Sequence, residues 1–205
     1  MSSPLLVTGE ILLVVVIPLL LLYLRSGWPL RATVPCLLSI PVLWYFTYAP
    51  LHELSHVAGA YLVGGTVTSM KLIPRFWMGE FGRAWINTAG ITESWQQVVM
   101  TASPYILDVA ALIVGIVILV RGFSTNAFVV GILFLLLCLR PAFDFVCETI
   151  AFLLGDKGDV YHLDLAAGSI ATSVFLVLSI GLSLFAIVVV LRRFRGFQGV
   201  PSPVD

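Results

Sequence analysis

The chain has 205 residues, of which 60% are hydrophobic and only 11% are charged. Soluble domains contain about 25% charged residues, so this composition excludes an ordinary soluble enzyme and indicates an integral membrane protein. The net charge is zero, which gives no sign of a nucleic-acid partner. The three cysteines lie apart in apolar stretches, so we expect free thiols.

Five apolar stretches are long enough to cross a bilayer, which takes about 20 helical residues. They predict an all-α polytopic membrane protein, a single domain over residues 1–205 with about five transmembrane helices and a small β-hairpin segment. We expect the first stretch to be a retained span, because it lacks the basic segment and the cleavage site of a signal peptide. The predicted spans cover residues 4–24, 32–63, 95–120, 127–154 and 166–191.

The second stretch exceeds one straight span, and Pro41 and Pro50 offer kinks or breaks within it. Segment 66–90 then changes character, with alternating and β-branched residues before a turn signal at 79–82, and it predicts a β-hairpin. The exposed aromatic residues expected there, as an interfacial belt or as substrate contacts, are Phe76, Trp77, Phe81 and Trp85.

Basic residues fall mostly on one side of a five-span bundle. Because cytoplasmic loops are enriched in Lys and Arg, we expect the N-terminus and a polar loop over 155–164 to lie outside. We therefore expect a multi-pass protein of the plasma membrane of a prokaryote. The residues on the cytoplasmic side are Arg25, Arg31, Arg121 and the cluster from Arg192 to Arg195, and those opposing the pattern are Lys71, Arg75 and Arg83.

The second span contains the sequence His52-Glu53-Leu54-Ser55-His56. Residues four apart share one face of a helix, so the two histidines can bind one metal ion. Glu53 lies beside them, where it can take a proton from a metal-bound water. The alternative is a polar cluster satisfied by its neighbours in the bundle, but ionisable groups inside a membrane are costly and mark function by default.

A catalytic zinc site takes three protein ligands and one water, so a third ligand is needed. We favour Asp144, because Pro141 would loosen the local helix and let the carboxylate turn inward. The alternative role for Asp144 is an ion pair with Arg140, four residues earlier on the same face. The other candidates are Asp108, Glu148 and His162.

These motifs resemble those of the site-2 protease family of intramembrane metalloproteases, over roughly residues 40–160. The His-Glu-x-x-His motif matches directly. Asp144 stands where the family has a ligand aspartate, although Phe145 replaces the usual glycine. Segment 95–104 is similar to the segment that leads to the family's Ala-Gly-Pro signature, with Ser103 in place of glycine. A branch of the family has an Asp-rich segment after the fourth span, which makes Asp159 a further candidate ligand.

The resemblance implies one Zn²⁺ ion on His52, His56 and Asp144, with Glu53 as the general base. The implied activity is hydrolysis of peptide bonds in membrane-spanning protein substrates by a zinc-activated water. Segment 66–90 would then accept unwound substrate as an added strand, with Met70–Ile73 as the expected edge. One rival function is a metal-binding or metal-transporting protein, which needs no base beside its ligands. The other is a catalytically inactive membrane scaffold, which the intact motif disfavours.

Overall fold

The computed structural model describes residues 4–74, 84–122 and 124–194. In this part of the chain five helical segments are long and apolar enough to cross a membrane, and the predicted spans agree with them to within three residues at each end. These helices are compatible with the predicted all-α polytopic fold class. In chain order we call them spans 1 to 5: Leu5–Ser26, Leu30–Leu62, Ser94–Arg121, Ala127–Leu153 and Ser169–Arg193.

Eight α-helices and two strands make up the described chain. Span 1 combines α1 and α2 through a π-helical turn, and span 4 combines α5 and α6 in the same way. The helices are α1 (Pro4–Ile11), α2 (Ile17–Ser26), α3 (Leu30–Leu62), α4 (Ser94–Arg121), α5 (Ala127–Phe134), α6 (Arg140–Leu153), α7 (Asp159–Ala167) and α8 (Ser169–Arg193). The π-helical turns are Leu12–Val16 and Leu135–Leu139, and the strands are β1 (Thr66–Lys71) and β2 (Trp85–Ala89).

Helix α3 has 33 residues and continues through Pro35, Pro41 and Pro50. The breaks considered at Pro41 and Pro50 therefore do not occur, since prolines are tolerated where neighbouring helices satisfy the freed backbone groups. At 1.5 Å per residue α3 is about 50 Å long, which exceeds the roughly 30 Å hydrocarbon core. Its His-Glu-x-x-His motif lies within about 15 Å of its C-terminal end.

Span 4 is the central helix of the bundle. In its most apolar window 67% of the residues are buried, against 22–33% in the other four spans. Phe134, Phe143 and Phe145 in this span are almost wholly enclosed. The outer helices instead expose large apolar side chains, such as Leu38 on α3 and Ile170 on α8, as expected of surfaces that face lipid.

The predicted hairpin is present. Strands β1 and β2 pair in antiparallel fashion, with Thr66 opposite Ala89, Lys71 opposite Trp85, and a bulge between Val67 and Ser69. The predicted turn over residues 79–82 lies outside the described residues, as do the aromatic residues Phe76, Trp77 and Phe81 and the basic residues Arg75, Arg83 and Arg195.

The connection between spans 4 and 5 differs from the prediction. We expected a polar loop over 155–164, whereas α7 begins at Asp159. Val160 and Leu163 are buried, and this short apolar stripe holds α7 against the bundle. The Gly and Asp residues just before α7 give a strong loop signal, whereas the nine residues of α7 show little helical periodicity. The wrong prediction followed from this difference.

Candidate metal centre

The two motif histidines share one face of α3, as predicted. Their Nε2 atoms lie 3.2 Å apart, and both side chains are buried. Asp159, the first residue of α7, places its Oδ2 atom 2.9 Å from Nε2 of His52 and 2.8 Å from Nε2 of His56. Two imidazole nitrogens and one carboxylate oxygen therefore converge on one point.

The neighbours of the two histidines determine which of their ring nitrogens carry protons. Nδ1 of His56 lies 3.0 Å from the backbone carbonyl of Met100. Because a carbonyl can only accept, this nitrogen carries a proton, and in the neutral ring Nε2 then has a free lone pair. His52 faces a carboxylate on both sides, with Asp144 Oδ2 3.0 Å from Nδ1. With both rings neutral, one proton can join only two of the three converging atoms, whereas a metal ion can bind all three.

The donor set fits zinc. Two histidines and a carboxylate with an open fourth position are a known catalytic zinc arrangement. Zinc bonds of about 2.0–2.1 Å in tetrahedral geometry separate ligand atoms by roughly 3.3 Å. The observed separations of 2.8, 2.9 and 3.2 Å are slightly shorter than this, so the ligands need only small outward movements.

The structure does not bring Asp144 to the position that the sequence analysis expected. Its carboxylate is fully buried and lies on the Nδ1 side of the His52 ring, away from the point where the two Nε2 atoms meet. Asp159 takes that place instead. The geometry therefore favours Asp159 as the third ligand and Asp144 as the residue that orients His52.

The remaining candidates have separate surroundings. Asp108 on α4 accepts a hydrogen bond from Nη2 of Arg140, and Nη1 of Arg140 lies 3.5 Å from Asp144 Oδ2. The alternative ion pair of Asp144 with Arg140 is thus present, together with the contact to His52. Glu148 and His162 both line the cavity at the site but do not belong to the converging group.

Helix packing sets these positions. Gln96 accepts from the backbone N–H of Glu93 in a capping box at the start of α4, and its amide donates to the Val63 carbonyl just after α3. This bond ties the start of α4 to the end of α3 and helps to bring the Met100 carbonyl to His56. On the other side of α3, the ring of Phe143 packs edge-on against Trp44 and Tyr48, which aligns α6 so that Asp144 meets His52.

A cavity of about 380 Å³ opens at this site, which is large enough for water and an extended peptide segment. Glu53, only 8% exposed, lines it together with both motif histidines. The base predicted from the sequence therefore lines the same cavity as the converging ligands. The polar wall on the other side includes Lys157 and Asp159.

The surroundings of Asp159 affect whether its carboxyl group is ionised. Burial alone would raise the pKa of this carboxyl, but when His56 and His52 are protonated, their charge and hydrogen bonds outweigh burial and hold the pKa well below its usual range. The carboxylate form is therefore the one that the surroundings favour, and it is the form in which aspartate binds a metal.

The hairpin contributes a different strand from the one expected. Ala84 and the β2 residues Trp85 and Ile86 line the cavity, whereas Leu72 and Ile73 lie beyond the end of β1. Within the described residues β2 pairs with β1 alone. The strand next to the candidate metal centre is therefore β2 and not the segment Met70–Ile73.

Sequence reasoning missed two contributors, the backbone carbonyl of Met100 and the side chain of Lys157. A carbonyl acceptor leaves no signal in residue types, and Lys157 looks like an ordinary loop residue. Searches with this chain find no matching family model, curated protein or solved structure.

Proposed function

We propose that the chain is an intramembrane zinc metalloprotease that hydrolyses peptide bonds of membrane-spanning protein substrates. One observation carries the proposal: two histidine nitrogens and the Asp159 carboxylate converge on one point in a cavity that Glu53 also lines. The histidines and Glu53 belong to a helix that is apolar and long enough to span a membrane. Buried ionisable groups in such a helix are costly and mark function by default.

The residues have distinct roles in the proposed reaction. His52, His56 and Asp159 would hold the ion, which would supply a water molecule of lowered pKa and polarise the scissile carbonyl. Glu53 accepts the proton of the attacking water and passes it to the leaving amine nitrogen. The acceptors Asp144 and Met100 keep the two imidazole rings oriented through their Nδ1 atoms.

The hairpin supports a role in presenting substrate. A transmembrane helix hides its carbonyls in internal hydrogen bonds, and unwound backbone in lipid leaves costly unpaired groups. A strand with a free edge can accept those groups. Trp85 and Ile86 of β2 line the cavity, so we expect the unwound substrate to pair with β2.

The arrangement of basic residues supports a location. With Arg25, Arg31 and Arg121 on the cytoplasmic side, the end of α3 and the hairpin lie outside, and cleavage occurs near the outer face. We propose a multi-pass protein of a prokaryotic plasma membrane on this basis.

The decisive experiment compares Glu53→Gln with Glu10→Gln, a buried glutamate in span 1 that serves as the matched control. Purified proteins would be assayed for zinc content and for cleavage of a quenched fluorescent peptide that contains one spanning helix. Glu53→Gln should keep its zinc and lose cleavage, because an amide cannot accept the proton. Glu10→Gln should keep both.

Two results would contradict the proposal. Wild-type turnover by Glu53→Gln would exclude Glu53 as the base. Zinc flux into proteoliposomes by both wild type and Glu53→Gln, without any peptide cleavage, would favour the transport function.

A further inference from the structure

Four buried polar side chains form a continuous line from span 3 to the metal centre. Arg140 on α6 donates through Nη2 to Asp108 on α4, and its Nη1 atom lies 3.5 Å from Oδ2 of Asp144. The same Oδ2 atom lies 3.0 Å from Nδ1 of His52 on α3. Asp108, Arg140 and Asp144 are each at most 2% exposed.

The contacts connect Asp108 with His52 through Arg140 and Asp144. Asp108 comes from a different helix, accepts from the guanidinium of Arg140 and also shares a side-chain hydrogen bond with Asp144. Arg140 also faces Asp144, through Oδ2 of the carboxylate. The oxygen of Asp144 that faces Arg140 is therefore the one that contacts His52.

The burial of three charges in membrane-spanning helices calls for a function. Isolated charges in spans are costly, and a buried ion pair is often no more stabilising than well-packed apolar residues. Stability of the helix packing alone therefore does not account for the set.

We propose that Asp108 and Arg140 are positioning residues of the metal centre: they hold Asp144 as the acceptor for Nδ1–H of His52 and so keep Nε2 free for the ion. The inference rests on the metal site of the proposed function but not on hydrolysis. Neutral histidine has one ring proton, and both of its nitrogens here face a carboxylate. Only the proton on Nδ1 leaves Nε2 able to bind metal, and such outer partners fix the tautomer of metal-binding histidines.

The first test is a double-mutant cycle on zinc affinity, measured by chelator competition on the purified full chain. Asp108→Asn should weaken zinc binding roughly 10-fold, the lower end of the effect of losing an outer partner. In an Asp144→Asn background the same change should have almost no further effect, because Asp108 acts through Asp144. Glu10→Gln, a buried acid in a span away from the site, should bind zinc as the wild type does.

Equal losses in both backgrounds would overturn the proposal, as would a loss no larger than that of Glu10→Gln. They would assign Asp108 a purely structural role.

The second test does not need zinc or cleavage. The chain has only three histidines, so ¹⁵N-histidine labelling gives a simple spectrum in which the Nδ1–H proton of His52 can be followed. That proton should exchange slowly with water in the wild type and fast in Asp108→Asn and in Arg140→Lys, which retains the charge but loses the forked geometry. Slow exchange in either folded variant would overturn the proposal. If zinc does not bind at all, the proposed function fails while this measurement still decides the positioning role.

Discussion

The close approach of α3 and α4 near the candidate metal centre predicts a strong effect for Gly59→Ala. Gly59 lies on α3 one turn after His56, and a Cβ atom there would lie 3.0 Å from the Met100 Cα atom and 2.1 Å from Oγ of Ser103. The Ser103 hydroxyl can rotate away, at the loss of its 2.6 Å hydrogen bond to Val99. The backbone of Met100 has no such freedom, so α4 itself must move.

The size of that movement follows from the contact distances. Ordinary Cβ contacts begin at 3.4 Å, so the backbone at Met100 must move outward by about 0.4 Å. The His56 Nδ1 to Met100 carbonyl distance, now 3.0 Å, would lengthen to about 3.4 Å, beyond the usual range for such bonds. We expect zinc affinity to fall roughly 10-fold and the free energy of unfolding to fall by about 1–3 kcal/mol.

The assay is chelator competition on detergent-solubilised protein, with thermal melting as the stability measurement. Gly181→Ala is the matched control, because a Cβ atom at Gly181 on α8 meets nothing within 4 Å. It should bind zinc normally and gain up to about 1 kcal/mol from helix propensity. If folded Gly59→Ala binds zinc as tightly as the control does, the Met100 carbonyl does not hold His56.

Three further predictions concern the ligands, the hairpin and the ion. Zinc content should fall further in Asp159→Asn than in Asp144→Asn, since only Asp159 meets both Nε2 atoms; elemental analysis showing the reverse order would make Asp144 the ligand. Ile86→Pro should slow cleavage of the spanning peptide while zinc is retained, because proline removes a backbone donor from the strand at the cavity. Leu72→Pro, which lies beyond the end of β1, should cleave normally. Equal cleavage by both variants would leave the hairpin without a role in catalysis. Removal of the metal with a chelator should abolish cleavage and lower the melting temperature. Zinc at 100 times its dissociation constant should restore about 2.7 kcal/mol of the free energy of unfolding. An unchanged melting temperature would show that no ion stabilises the fold.

Much of the fold could be predicted because hydropathy acts on whole segments. A span needs about 20 apolar residues, and a few polar positions do not hide it. The His52 and His56 pair could likewise be predicted, because helix periodicity alone places the two residues on one face.

The third ligand needed information that spacing does not contain. Asp144 lies at the right depth and touches the right histidine, but helix periodicity does not say which edge of the imidazole ring it meets. The position of Asp159 depends on the path of the chain after span 4, and the sequence predicted a loop where α7 lies. The sequence also did not show that Arg140 pairs with Asp108. Asp144 is the neighbour of Arg140 along the helix, whereas Asp108 contacts Arg140 only through tertiary packing.

The charges of span 4 also bear on how the protein is made. A charged side chain at the centre of a helix raises the cost of insertion by roughly 2.5–3.5 kcal/mol, and span 4 carries both Arg140 and Asp144. Because Arg140 pairs with Asp108 of span 3, we expect span 4 to leave the translocon together with span 3 and not alone. Glycosylation mapping should show poorer insertion of span 4 when Asp108 is changed to leucine, whereas independent insertion would show no difference. The order of assembly would then make the metal centre available only after the bundle around it has formed.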